Sequence, residues 1–232
     1  MTAEIQYDLR EDKEKIIYSL IVSVSFLMLL WIVKIFDSVF QFDLFRLGVY
    51  PRHISGLIGI LFSPLIHKDF SHLSSNSTTL LFLFFFLLYF YRTSAYKVFW
   101  IVYFFDGIFV WILGRESYHI GASGLVYGFV TYLFFAGLLR KDKRSIAVSL
   151  LITFLYGGMV WGIFPTDIRV SFEAHIGGAL VGIVCALIFR NTDIPPKYEW
   201  EDEQEEIDEP YENNINPDDI KIRDDARPKY FN

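Results

Sequence analysis

Only one cysteine, Cys185, occurs in the 232 residues, and it lies in an apolar run. Neither a disulfide framework nor a multi-cysteine metal site can form, and the thiol reads as a small buried hydrophobe. There is no H-E-x-x-H, and His67 and His72 fit one helix face poorly, which sets a zinc protease aside. Asp106 is the only acid well inside an apolar run, so a pair of intramembrane aspartates is missing. That residue reads as a packing or pore-facing polar group without a catalytic role. Basic charge is also scarce: 21 Lys and Arg stand against 27 Asp and Glu, a net charge of −6, which gives no reason to expect nucleic-acid binding. No small-residue cleavage site follows the first apolar run, which is too long for a signal peptide. No internal repeat is evident, which weakens a transporter built from paired broken helices.

Apolar residues are what the chain has instead. They make up 53% of it and aromatics 19%, which excludes an ordinary soluble globule because several runs approach the roughly 20 residues that cross a bilayer. Six spans are expected, at 16–36, 73–91, 95–113, 121–139, 146–164 and 172–189. The connection at 37–71 mixes Phe, Leu and Ile with Asp37, Asp43, Arg46, Arg52 and His53. It is too apolar for a solvated linker and is expected to hold short interfacial helices. Residues 1–15 form a polar N-terminal segment, 16–190 the six-span domain, and 191–232 an acidic tail expected to be disordered.

Cations sort to one side of this scheme. Arg10, Lys13 and Lys15 precede span one, and Arg92 and Lys97 flank the second loop. Arg140, Lys141, Lys143 and Arg144 crowd the fourth, and Arg190 follows span six. The opposite short loops carry only Arg115 and Arg169. The positive-inside rule then places both termini in the cytoplasm.

Spans two, four and six all enter from the outer face, and each opens on polar residues. His72 and Asn76 open span two, Ser123 opens span four and His175 opens span six. All four lie roughly 5–10 Å below the same surface at 1.5 Å per residue. Polar groups at that depth are costly and by default mark a functional site. Ser123 sits in Gly121-Ala122-Ser123-Gly124, followed by Gly128, and Gly177, Gly178 and Gly182 line span six. Small residues of this kind also serve plain helix packing.

The residue types suit acyl transfer. A serine hydroxyl needs a neighbouring base, and a neutral imidazole on another helix can take its proton. An Asn amide, a second imidazole and the Ser123 N–H can hold an oxyanion. Tyr127, one turn below Ser123, can pack on the His175 ring. Bland readings stand beside these: a histidine at a span end can be interfacial, Asn76 can bond a neighbouring helix, and His119, four residues before Ser123, is a rival base.

With these residues in place, the chain resembles the rhomboid family of intramembrane serine proteases. His72-Leu73-Ser74-Ser75-Asn76 is similar to its H-x-x-x-N, Gly121-Ala122-Ser123-Gly124 to its G-x-S-G, and Ala174-His175-Ile176-Gly177-Gly178 with Gly182 to its A-H-x-x-G-x-x-x-G. Tyr127 and His67 stand where the family has an aromatic and a further histidine. Pro51-Arg52 and Ser63-Pro64-Leu65-Ile66-His67 are similar to a bacterial subgroup, although the Trp-Arg pair of some members is missing. The likeness runs over about residues 45–190. It implies an all-α polytopic membrane protein with a six-helix transmembrane bundle, in a bacterial cytoplasmic membrane, its active site open to the exterior. It implies a Ser123–His175 dyad, oxyanion binding by His72, Asn76 and Ser123, and support from Tyr127, Gly121, Gly178 and His67. No metal or cofactor is expected. The implied partners are the lipid bilayer and single-span transmembrane substrates. The alternative it leaves open is a catalytically silent relative that binds transmembrane helices.

Overall fold

The computed structural model describes residues 2–167 and 170–194, with side chains from Leu9 onward. The tail from residue 195, including Trp200, Tyr211 and Tyr230, lies outside the described residues, and so does Arg169. Among the described residues the chain is helical, with no strand and one isolated bridge, Val49 with His119. The helices are α1 (Thr2–Phe40), the short α2 (Gly59–Phe62), α3 (Phe70–Phe90), α4 (Ala95–Leu113), α5 (Ser123–Arg140), α6 (Lys143–Tyr156) and α7 (Phe172–Ile188).

Helix α1 is longer than the expected span 16–36. Its 39 residues reach about 58 Å, well beyond a hydrocarbon core of roughly 30 Å. The charged stretch before Ile16 does not end it. Ion pairs one turn apart, Arg10–Glu14 at 3.6 Å and Lys15–Glu11 at 2.9 Å, suit a solvated helix. At the other end Lys34 is buried and donates to Asp37 Oδ2 at 3.1 Å and to the Lys68 carbonyl at 3.0 Å. That ties α1 to the segment leading into α3. Below it, Phe26 meets Phe84 and Phe99 edge-on.

The connection between α1 and α3 folds into 3-10 turns at Leu44–Leu47, Ile54–Ile58 and Ser63–Leu65 around α2. It is pinned to α4 and the loop beyond it. The Tyr103 hydroxyl donates to the Leu61 carbonyl at 2.5 Å, and Arg52 Nη1 donates to the Gly114 carbonyl at 2.7 Å. Gly56 and Gly59 are obligatory here, because a Cβ on either would overlap the backbone at 48–50.

Helix α5 is the central element and packs most extensively against α7. Lipid is as apolar as leucine, so close packing rather than water exclusion must join these helices. A Cβ at Gly178 would fall on the Gly124 carbonyl, and one at Gly182 on the Gly128 carbonyl. Thr131 Oγ1 donates across the seam to the Ala179 carbonyl at 2.9 Å. Helix α6 lies at the rim, with Phe154 85% exposed toward the surroundings.

Among the described residues, five helices are long and apolar enough to cross a membrane: α1, α3, α4, α5, and α6 with its continuation to Ile163. Helix α7, the sixth expected span, has 17 residues and is shorter than the other five. Two further departures from the sequence reading shape the bundle. The α-helix of the fifth span stops at Tyr156 rather than 164 and continues as a 3-10 helix, Gly157–Ile163, because Gly157-Gly158 is a poor α-helix former. A further tie of the bundle lies beyond Arg190: Asp193 accepts from the N–H groups of Thr93 at 2.6 Å and Ser94 at 3.0 Å, and from Ser94 Oγ at 2.7 Å. Burial works to raise the Asp193 pKa, and these bonds outweigh it and hold the carboxyl below its ordinary value.

Candidate active site

Three helix starts meet at one cavity of about 1160 Å³. Its walls include His67, His72, Ser123, His119, Ser171 and His175. Ser123 is the first residue of α5, so its N–H has no intrahelical partner. The turn before it needs Gly121, whose φ is +111° and whose missing Cβ would stand 2.7 Å from His72 Cε1 and 3.7 Å from Asn76 Nδ2. Both side chains of the H-x-x-x-N therefore crowd over the residue two before the serine. Asn76 is buried one turn deeper than His72, and its Nδ2 has no hydrogen-bond partner. A buried amide donor left open is costly, and that fits a group kept for a transient acceptor.

His175 is buried in the first turn of α7. Its ring stacks on Tyr127 with centroids 4.1 Å apart and planes 13° from parallel. Its Nδ1 donates to the Gly162 carbonyl at 2.7 Å, the assignment that leaves Nε2 as the ring's free lone pair. The Tyr127 hydroxyl donates to the Met159 carbonyl at 2.8 Å, so one tyrosine holds both the imidazole and the segment that bonds it. A Cβ on Gly162 would overlap the Tyr127 hydroxyl, so the tyrosine keeps this seat because that residue is glycine. No hydrogen bond joins Ser123 to His175 among the described residues; such bonds are often long before substrate binds.

The rival base, His119, is engaged on both ring nitrogens. Nδ1 meets Ser171 Oγ at 2.6 Å and Nε2 meets the Arg115 carbonyl at 3.0 Å. Ser171 caps α7 through the Ala174 N–H, so His119 steadies the helix that carries His175. Arg115 does the same from its other side, donating to the Val170 carbonyl at 2.6 Å and lying 3.7 Å from Glu173.

Sequence reasoning did not find the Gly162 carbonyl, the Met159 carbonyl or the Ser63 carbonyl, which accepts from Gly121 N–H at 2.9 Å. All three are backbone groups with no side-chain signature. The one available hint was the Gly157-Gly158 pair inside an apolar run.

His67 lies 1% exposed beneath this site, its ring 5.2 Å from that of His72, and its Nε2 accepts from the Ala122 N–H at 3.4 Å. Burial, reinforced by His72, pushes the His67 pKa down from 6.5 to about 4. Between those values the unfolded chain holds more protons than the fold, so stability rises with pH across that window and is lost as pH falls through it. The loss from this one residue is at most roughly 3 kcal/mol. The thermal midpoint should therefore drop between pH 6.5 and 4. Glutamine can still accept the Ala122 N–H, so His67→Gln should flatten that slope. An unchanged slope would show that His67 does not carry it.

Residues 53–192 match the family model described as the Rhomboid domain. The chain belongs to the rhomboid family. An uncharacterized protein of Mycobacterium tuberculosis is 30% identical to this rhomboid over 179 residues, covering 71% of this chain and 72% of that one. An uncharacterized protein of Mycobacterium leprae is 29% identical over 174 residues, covering 71% and 69%. The rhomboid is thus an integral membrane protein of several helical spans.

Proposed function

We propose that this rhomboid is an intramembrane serine endopeptidase that cleaves single-span membrane proteins in or near their transmembrane segment. The observation that carries the reading is His175, stacked on Tyr127 and bonded through Nδ1 to Gly162, facing the same cavity as Ser123. Ser123 Oγ attacks the scissile carbonyl carbon as its proton passes to His175 Nε2. The oxyanion is held by Asn76 Nδ2, His72 and the Ser123 N–H. As the intermediate collapses, His175 gives the proton to the departing amine nitrogen, leaving an acyl-serine. Water entering from the cavity attacks that ester, again with His175 as base, and frees the acid and the serine. No third acid takes part: the Gly162 carbonyl fixes the tautomer, the orienting role that a carboxylate has in other serine hydrolases. No step calls for a cofactor.

The competing reading, a silent binder of transmembrane helices, is favoured only by the missing Ser123–His175 bond. A fluorophosphonate probe separates the two. The endopeptidase is labelled at Ser123 and cuts a single-span substrate on co-expression, whereas the binder does neither.

We further propose that 16–190 is the protease domain, that both termini are cytoplasmic and that the cavity opens to the exterior, from the cations at 140–144. Reporter fusions after Arg140 and at the C-terminus should then report cytoplasm, and one near Arg115 the outside. An exterior signal at the C-terminus would overturn the orientation.

A further inference from the structure

One polar side chain at the heart of the bundle takes no part in the chemistry above. Asp106 of α4 sits where α4, α5 and α7 converge. A Cβ built on Gly124, the residue after the nucleophile, would overlap Asp106 Oδ2. A Cβ built on Gly177, two residues after the base, would stand 2.6 Å from Asp106 Oδ1. Each oxygen therefore occupies the space of a missing side chain, and a Cα–H of each glycine points at it. Contacts of that kind recur between closely packed helices and are individually weak. Oδ1 is buried and has no hydrogen-bond partner. A charged carboxylate is costly in such a place even with the Gly178 backbone N–H beside it, so shape and oxygen atoms, rather than charge, are what this position supplies. Nor is Asp106 a hidden third member of a triad, since the His175 Nδ1 is already bonded to Gly162.

We propose that Asp106 is a positioning residue: its carboxyl group is a two-pronged spacer that sets the separation of the Ser123 and His175 helices. The geometry behind this is reciprocal. The same crevice is closed on its far side by Gly178 against the Gly124 carbonyl, so α5 and α7 already touch there. With the spacer gone, the two helices can rock about that contact, and the Ser123-to-His175 distance is no longer fixed. A misplacement of about 1 Å between reacting groups can cost on the order of a hundredfold in rate.

The proposal rests on the protease reading, and the experiment keeps the two apart. The full chain and its variants are purified in detergent. Fluorophosphonate labelling rate, kcat and KM on one single-span substrate are measured per monodisperse molecule. If the parent chain is neither labelled nor active, the protease reading fails. If it is active, Asp106→Ala should lower labelling rate and kcat roughly tenfold to a hundredfold with KM little changed. Asp106→Asn, which keeps the shape and one oxygen, should retain most of both. Gly124→Ala should be as damaged as Asp106→Ala, because the added methyl meets the carboxyl. The double variant, in which the methyl takes the vacated space, should recover activity relative to either single change. Asp106→Ala labelled and active like the parent overturns the proposal. So does Asp106→Asn as inactive as Asp106→Ala, which would mean that a charge is required. If Asp106→Ala does not yield monodisperse protein, the Asn variant and the double variant decide on the same criteria.

Discussion

Ser123→Ala and His175→Ala should each reduce kcat by on the order of a millionfold while leaving the protein folded in the membrane. The size follows from how nucleophile and base act as one unit: losing either member costs nearly as much as losing both. The double variant should therefore be no worse than either single one. The folded bundle should survive, because Ser123 caps nothing and opens into the cavity. His175→Ala also leaves a space above the Tyr127 ring and unpairs the Gly162 carbonyl, so a modest fall in thermal midpoint is expected there and none for Ser123→Ala. Cleavage of a reconstituted single-span substrate, followed with a fluorophosphonate label, measures both. Full proteolysis by either purified variant would remove the dyad.

Asn76→Ala should be the next largest loss, about 2.7–4 kcal/mol, a hundred- to a thousandfold. The donor Nδ2 is buried without a partner, so in the fold as it stands the amide contributes desolvation cost and no bond. On the proposed mechanism its bond forms when charge develops on the substrate oxygen, which places the effect in kcat and leaves KM nearly unchanged. His72 lies against the same Gly121 turn and can share the load, so a loss at the lower end of the range is consistent. Removing an orphan donor can also raise stability slightly. If Asn76→Ala shifted only KM, the residue would be holding substrate or packing the helix, and the oxyanion site would have to be built from His72 and the Ser123 N–H alone.

The reach of the sequence was set by side chains and periodicity. Polar residues stand out inside apolar runs because bilayer hydrocarbon makes them costly. His72, Asn76, Ser123 and His175 therefore stand out together at the heads of three apolar runs, and the glycines of α5 and α7 mark a close seam. The helical class and the membrane setting were equally legible, since a run of apolar residues long enough to cross a bilayer has no alternative but a helix or a barrel. Helix ends were less so. Hydropathy ended the first span at its charged flank, but α1 runs on through Arg10–Glu14 and Lys15–Glu11 because ion pairs one turn apart suit a solvated helix as well as leucine suits a lipid-exposed one.

What only the tertiary structure decided is where backbone groups and rival side chains end up. Composition left His119 as a possible base. The fold places both its nitrogens in bonds to Ser171 and Arg115. The Gly162 carbonyl that fixes the His175 tautomer has no residue-type signature, and it reaches the ring because a glycine pair turns the chain from α to 3-10 geometry. Asp106 was legible as an isolated acid but not as a spacer, since that depends on two glycines from different helices facing it at once. Sequence alone determined which polar groups stand at the heads of apolar runs, because burial cost acts on each residue separately. The tertiary structure decided which of them touch, because contact depends on how three helices approach one another.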